Sequence, residues 1–276
     1  MASIHCPQGD LWRQTMQYPC GEYTERAASD DFELEFWQRF LENKQTYQPD
    51  SYAAKIADVV CDVIHTQSGV KSIVELGPGW GNYTFRLAEL CDTLTCVDIS
   101  ADILGYIQKI ADDKGITNIK TAASKWEEYN HPPCDVFFGY NCFYRMKEIE
   151  QCLMKMYKCA KKLCIIGMSG CPEQPYLRDF DDVGLAVRYT RMNHRNLYEI
   201  LKELGIHAEF IEIPNEREYV YDCYDALFSR ATEYICGSYD ESVVKDILGR
   251  YYVSNNGVYR CHYHFKSGLL IWRPQY

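Results

Sequence analysis

The stretch VELGPGWGN, Val74 to Asn82, carries glycines at 77, 79 and 81 and an acid, Glu75, just ahead of them. Glycine takes positive φ at no steric cost, so a glycine-rich turn after a strand brings a backbone against a ligand. A triphosphate loop requires GxxxxGK followed by Ser or Thr, whose lysine and hydroxyl reach phosphates and magnesium. Here Gly81 is followed by Asn82 and Tyr83, and that option falls. A dinucleotide turn requires GxGxxG. With Gly77 and Gly79 in the first two places, the third falls on Asn82, and the spacing GxGxG weakens NAD or FAD. The remaining option is a ligand held without phosphates.

The elements that position this turn follow from apolar spacing. SIVEL (72–76) reads as a buried strand and NYTFRLAELC (82–91) as a helix. TLTCVD (93–98) predicts the next strand, followed by a helix from Ser100 to Lys114. NIKTA (118–122) and CDVFFGY (134–140) predict strands, with a turn or short helix around KWEEY between them. A helix from Lys147 to Ala160 leads into the strand KLCIIGMS (162–169). Strands alternating with helices demand right-handed crossovers and a mostly parallel sheet.

HRNLYEILKELG (194–205) predicts a helix ending at Gly205, a residue suited to the left-handed cap. HAEFIEIP (207–214) and YRCHYHFKSGLLIWRP (259–274) predict strands that add an antiparallel C-terminal edge. Upstream, DFELEFWQRFLENK (31–44) and SYAAKIADVVCDVIHTQ (51–67) predict helices. The expected architecture is a doubly wound α/β domain over 69–276 with an N-terminal helical cap over 1–68. Long irregular insertions at 170–193 and 229–258 are expected to form a substrate lid.

The bulk numbers set bounds. The chain has 276 residues, 47% hydrophobic and 25% charged, which are globular values. A formal charge of −10 disfavours nucleic acid, whose binders neutralise phosphates with Lys and Arg. Fourteen cysteines run from Cys6 to Cys261, with no CxxC pair to suggest zinc or redox chemistry, so no metal is expected. The start MASIHCPQGD lacks a signal-peptide pattern, and free thiols fit a reducing cytoplasm. No run approaches the roughly 18 apolar residues of a membrane span. The expectation is a cytoplasmic protein with no membrane partner.

VELGPGWGN resembles the first motif of class I S-adenosylmethionine-dependent methyltransferases, which place acid–x–Gly–x–Gly–x–Gly after the first strand. In CVDIS, Asp98 ends the second strand seventeen residues after Gly81, where that family sets an acid on the ribose hydroxyls. A carboxylate at a strand end can accept from both. The resemblance spans about Tyr47 to Arg273 and is specific in these two motifs. It implies a Rossmann-like fold, S-adenosyl-L-methionine as cofactor and S-adenosyl-L-homocysteine as product.

Carried over residue by residue, the resemblance implies that Gly77, Pro78, Gly79 and Gly81 bring backbone against the methionine part and ribose. Glu75 would orient the loop, Asp98 would bind the ribose, and Ile99 would pack on the adenine. Ser124, Lys125 and Trp126 fall where the family contacts the adenine edge, although Ser124 stands where an acid is common. Tyr47 resembles the aromatic that closes over the cofactor's carboxylate. Tyr140, Asn141 and Tyr144 in GYNCFYRM fall at the floor of the transfer site.

Methyl transfer from a sulfonium is an in-line displacement, so the protein's main task is to hold donor and acceptor about 3–3.5 Å apart and aligned. No dedicated base is demanded, and His194 is the remaining candidate for one. The Asn-Pro-Pro-Tyr form of the fourth motif, used on nucleobase amines, is absent; GYNC stands there. A small-molecule acceptor fits this absence, the acidic charge and the 23 tyrosines. The alternatives are another S-adenosylmethionine-using transferase or cyclase, with aminocarboxypropyl chemistry, and a non-catalytic S-adenosylmethionine-binding protein.

Plainer readings stand beside these. Asp98 precedes Ser100 and so neighbours a helix cap. His194 at a helix start is more often structural, as are His262 and His264, two apart on one strand face. The run Phe32, Phe36, Trp37 and Phe40 has helical spacing and reads as core. Asp179, Asp181 and Asp182 read as a solvated loop.

Overall fold

Apolar runs too short for helices form a mixed sheet in the computed structural model, which describes residues 6–22, 24–44 and 46–274. Its strands are β1 (Ser72–Leu76), β2 (Thr93–Asp98), β3 (Ile119–Ala123) and β4 (Cys134–Tyr140). They continue as β5 (Ala160–Ser169), β6 (Glu209–Tyr221), β7 (Val253–Asn255) and β8 (Val258–Trp272). The spatial order is β3-β2-β1-β4-β5-β8-β6, with β7 on β8. β1 to β5 run parallel, and β8 is inserted antiparallel between β5 and β6. Strand order reverses between β1 and β4, which opens a crevice at their carboxyl ends.

Both faces of the parallel strands are covered, which is why they read as unbroken apolar runs. On β4 and β5, Val136, Phe138, Leu163 and Ile165 face one layer, with Ile56, Val60 and Ile64 of helix Ala53–His65. Helix Ala101–Asp113 completes that layer through Leu104, Ile107 and Ala111. Phe137, Cys164 and Ile166 face the other layer, under helices Ile149–Cys159 and His194–Glu203. Phe137 and Phe138 are almost wholly buried, each contributing about 1.5–3 kcal/mol. Helix Pro7–Thr15 packs on the second layer, where Trp12 donates to the Met146 carbonyl at 2.8 Å.

The expected helix 82–91 is shorter than its spacing suggests, at Thr84–Ala88. Asn82 is drawn out of it by Asp50: its amide donates to the carboxylate and its oxygen accepts from the Asp50 N–H, both at 2.8 Å. At the other end, the Asn118 amide takes the carbonyls of Ala88 and Cys91 at 2.8 Å each. β6 runs seven residues beyond the expected 214, because β8 pairs with it from Glu209–Ile271 to Tyr221–Tyr259. Pro214 is tolerated there because β6 is an edge strand.

The far halves of β6 and β8 carry a third apolar cluster. Tyr176, Phe180 and Val187 meet Leu227, Val244, Leu248, Tyr252 and Cys261 in it. The stretches 170–193 and 229–258 therefore share one core, together with helix Tyr224–Thr232. All fourteen cysteines carry free thiols. No helix among the described residues is long and apolar enough to cross a membrane.

Candidate functional site

The glycine turn sits at the switch point. Gly77, Gly79 and Gly81 have φ of +61°, +52° and +98°, a region where a side chain is strained. The Gly77 N–H bonds to the Val97 carbonyl at 2.8 Å and ties the turn to β2. A Cβ on Gly77 would overlap the Cβ of Cys142, and one on Gly81 would come to 2.8 Å from the Phe85 ring. The turn is thus glycine for close packing as well as for its dihedrals. Glu75 lies beneath it, fully buried, with Cys96 donating from sulfur at 3.6 Å to one oxygen. Its other oxygen has no partner among the described residues. Burial pushes the Glu75 carboxyl up to about 7.

Asp98 ends β2 with one oxygen accepting from the Ser100 N–H at 2.8 Å. The Ser100 hydroxyl in turn accepts from the Ile103 N–H and caps helix Ala101–Asp113. Asp98 is therefore both a cap neighbour and a wall of the crevice. Burial pushes its carboxyl up to about 6, and the charge of Glu33 adds to this. The backbone of Ser124 donates to the Asp98 carbonyl at 2.8 Å. Lys125 pairs with Asp30 at 2.5 Å. Trp126 is buried on Phe137, ring centroids 4.9 Å apart, and donates to the Cys152 carbonyl at 3.3 Å.

After β4 the chain turns sharply at Asn141, φ +55°. Its N–H reaches the Gly167 carbonyl at 2.9 Å, and its side-chain oxygen accepts from the Ser169 N–H at 2.7 Å. Tyr144, three residues on, donates to Glu33 at 2.5 Å and accepts from Arg26 at 2.6 Å. Glu33 also receives two bonds from Arg26, at 2.7 and 2.9 Å, and one from the Trp37 indole at 2.8 Å. Burial pulls the Glu33 carboxyl up, but these donors overcome it and hold it below its usual range. Arg145 adds an ion pair to Asp30. The segment from Arg26 to Trp37 is thereby clamped onto the loop after β4.

Between clamp and strand ends lies a cavity of about 690 Å3. Gly77, Asp98, Ile99, Ser124, Lys125, Trp126, Asn141 and Tyr144 line it, as do Ser29, Glu33, Trp37, Cys142 and Arg145. The remaining candidates lie elsewhere. Tyr47 sits behind the turn, its hydroxyl donating to the Gly81 carbonyl at 2.8 Å. Gly79 lies against Trp37, where a Cβ would be 3.4 Å from the ring. Glu75 and Pro78 are not in the cavity wall.

Tyr140 points into the opposite layer, its ring 5.3 Å from that of Tyr83. This follows from the alternation of β4, which gives Tyr140 the face of Val136 and Phe138. His194 is buried where a Cβ on Gly268 would overlap it, with Nε2 3.5 Å from Glu212. Burial lowers its pKa, so the ring is neutral and occupies a packing site outside the cavity wall.

Sequence reasoning missed Arg26, Glu33, Cys142 and Arg145. It also placed the Phe32 to Phe40 face in a core. In helix Asp30–Glu42 the buried residue is Glu33, while Phe32 is 45% exposed. Phe36, Trp37 and Phe40 pack on one another and on Arg26 and Trp80. His262 and His264 are surface residues beside Glu218 and Glu216.

Residues 73–162, which include Gly77, Asp98, Ser124 and Asn141, match the family model described as a methyltransferase domain. No curated protein sequence matches the chain. Among solved structures, the N-methyltransferase NodS of Bradyrhizobium japonicum, bound to S-adenosylhomocysteine, is similar with a TM-score of 0.52 and 12% identity. That match covers 88% of this chain and 98% of NodS. Magnesium protoporphyrin IX methyltransferase ChlM of Synechocystis, also with S-adenosylhomocysteine, gives 0.51 and 13%, over 97% of this chain and 100% of ChlM. At such identities the likeness is one of fold, and it agrees with the sheet order and the antiparallel edge. Motif and family model agree that residues 73–162 form a methyltransferase domain, and the likeness in fold to these two methyltransferases extends over most of the chain.

Proposed function

We propose that the protein transfers the methyl group of S-adenosylmethionine to a small-molecule acceptor. The observation that carries this reading is the size of the cavity and the acidic character of its wall. At about 690 Å3 it falls in the range of roughly 300–1,000 Å3 usual for small-ligand sites, and the clamped segment Arg26–Trp37 supplies one of its walls. The wall is rich in acids: Asp30, Asp31, Glu33, Asp98, Glu127 and Glu148, against Lys125, Lys147 and Arg145. Such a wall suits a sulfonium cation and opposes a phosphate polymer.

In this reading the free oxygen of Asp98 accepts from the ribose hydroxyls, and the Gly77 turn brings backbone against the cofactor. Ile99 and Trp126 enclose the adenine, with Ser124 and Lys125 at its edge. The Asn141 oxygen is committed to Ser169, which leaves its amide nitrogen as the group of that side chain able to donate to a ligand. Tyr144 is a positioning residue. Burial and Glu33 raise its phenol far above the working range, so it acts as a donor and not as a base. Once bound, S-adenosylmethionine supplies an already activated methyl group, and alignment is the protein's contribution.

The test is calorimetric titration with S-adenosylhomocysteine, followed by a product-release assay. Small-molecule, protein and nucleic-acid fractions would each be offered as acceptor with S-adenosylmethionine. Turnover with the small-molecule fraction is expected. Turnover confined to a macromolecular fraction, or no binding of the product, would overturn the reading.

A further inference from the structure

A second cluster of chemistry-bearing side chains lies away from the cavity, where the N-terminal segment meets the third core. Cys20 and Glu22 flank Gly21, φ +88°, in a turn closed by the Tyr18 N–H on the Glu22 carbonyl at 2.8 Å. Cys236 comes from the loop after helix Tyr224–Thr232. The two sulfurs and a carboxylate oxygen of Glu22 all lie within 4.8 Å of one another. Backbone bonds pin them: the Cys20 N–H reaches the Val187 carbonyl at 3.4 Å and the Cys236 N–H the Ala186 carbonyl at 2.7 Å. Val187 also forms a β-bridge with Ile235.

We propose that Cys20, Cys236 and Glu22 form a binding site for a thiophilic divalent cation of the zinc class, with solvent as the fourth ligand. Two sulfurs and one carboxylate select against calcium and magnesium, which take oxygen sets. A tetrahedral zinc with Zn–S of about 2.3 Å and Zn–O of about 2.0 Å places its ligand atoms roughly 3.5–3.8 Å apart. The observed ligand atoms, within 4.8 Å of one another, would have to draw together to reach that spacing. Arg188 forks onto Glu22, Nε at 2.6 Å and Nη2 at 3.2 Å, and so fixes the carboxylate in the way outer partners orient metal ligands. Its positive charge offsets the negative charge that two thiolates and a carboxylate leave over a divalent ion. On binding, the ligating thiols release their protons to water and no atom changes oxidation state.

The site would staple the turn at Cys20 to the third core. That turn leads directly into the segment that walls the cofactor cavity, so the cation would hold the wall's root in place.

The decisive experiment is an anaerobic cobalt(II) titration of the fully reduced chain, read by thiolate-to-metal charge-transfer absorption, with zinc as competitor. About one equivalent is expected to bind and to be displaced by zinc. Cys20→Ser and Cys236→Ser should each abolish the band, while Cys223→Ser, an exposed cysteine elsewhere, should keep it. Zinc-edge X-ray absorption on the unmodified chain reads the same question without relying on variant folding, and two sulfurs in the first shell are expected. No cobalt uptake, a band that survives both serine variants, or a shell without sulfur would each overturn the proposal.

Discussion

The Tyr144 hydroxyl donates a 2.5 Å hydrogen bond to Glu33, a residue 111 positions earlier, and through it the loop after β4 holds the N-terminal segment. Glu33 is 2% exposed and gathers donors from Arg26, Trp37 and Tyr144. A hydrogen bond to a charged group contributes about 1.5–3 kcal/mol, so Tyr144→Phe should lose an amount of that order in urea denaturation. Glu33→Gln should lose at least as much, because Arg26 is left without its carboxylate. Both variants should bind S-adenosylhomocysteine more weakly by calorimetry. Unchanged affinity in both would mean that the clamp does not shape the site.

A methyl group on Gly77 should be more damaging than its size suggests. It would strain a +61° φ and overlap Cys142. Gly77→Ala should therefore reduce cofactor affinity at least tenfold and lower stability by roughly 1–3 kcal/mol. Adding Cys142→Gly removes the overlap but not the dihedral strain, so the double variant should recover part of the loss. A double variant no better than the single would show that packing against Cys142 is irrelevant.

Cofactor affinity should depend on pH through Asp98. Its carboxyl, raised by burial to about 6, must be ionised to accept from ribose hydroxyls. Affinity for S-adenosylhomocysteine should be flat above about pH 7 and fall about tenfold per unit well below pH 6. Asp98→Asn should bind roughly tenfold to a hundredfold more weakly, with the slope gone. A wild-type affinity unchanged down to about pH 5 would contradict the assigned contact.

Glu75 predicts an opposite trend for the stability of the cofactor-free fold. Its carboxyl is raised from 4.5 to about 7 by burial, so the folded state holds a proton that the unfolded state releases. Stability from this group falls as pH rises between those two values, by an amount on the order of 3 kcal/mol at the upper end. Glu75→Gln should therefore be favoured over wild type at about pH 8 relative to about pH 5, in denaturant titrations. Parallel pH curves for the two chains would rule this out.

His194 should prove structural. Its ring fills the space that Gly268 leaves, so Gly268→Ala should destabilise by several kcal/mol. Replacing His194 with Ala in that background should restore part of the loss. In the single variant, His194→Ala should leave cofactor affinity unchanged while lowering the melting temperature. A change in affinity of more than about tenfold would bring the histidine back into the site.

The sheet was legible because its strands are buried on both faces and so appear as short apolar runs; β1, β2 and β4 have the bounds their sequences suggest. The glycine turn was legible because φ above zero leaves few residues to choose from. The clamp was not, because Glu33 is held by partners far along the chain, and apolar spacing cannot announce a buried acid. Tyr140 was read by its place at a strand end, when the alternation of Val136 and Phe138 already assigned it to the other layer. The far half of β6 was hidden because NEREY, after the expected end at 214, is too polar to announce a strand until β8 pairs with it.

That pairing also sets an order of assembly. β5 finds its second neighbour only in Ser267–Trp272, with Ser169 opposite Ser267. A chain emerging from the ribosome can close β1 to β5 and their helices early. It then carries an unpaired apolar edge, Cys164 to Ser169, until nearly a hundred further residues have been made. Exposed edges of this kind invite pairing with other chains. The residues of β8 thus guard the young sheet against aggregation, and loss of the 258–272 segment would cost solubility before it cost catalysis.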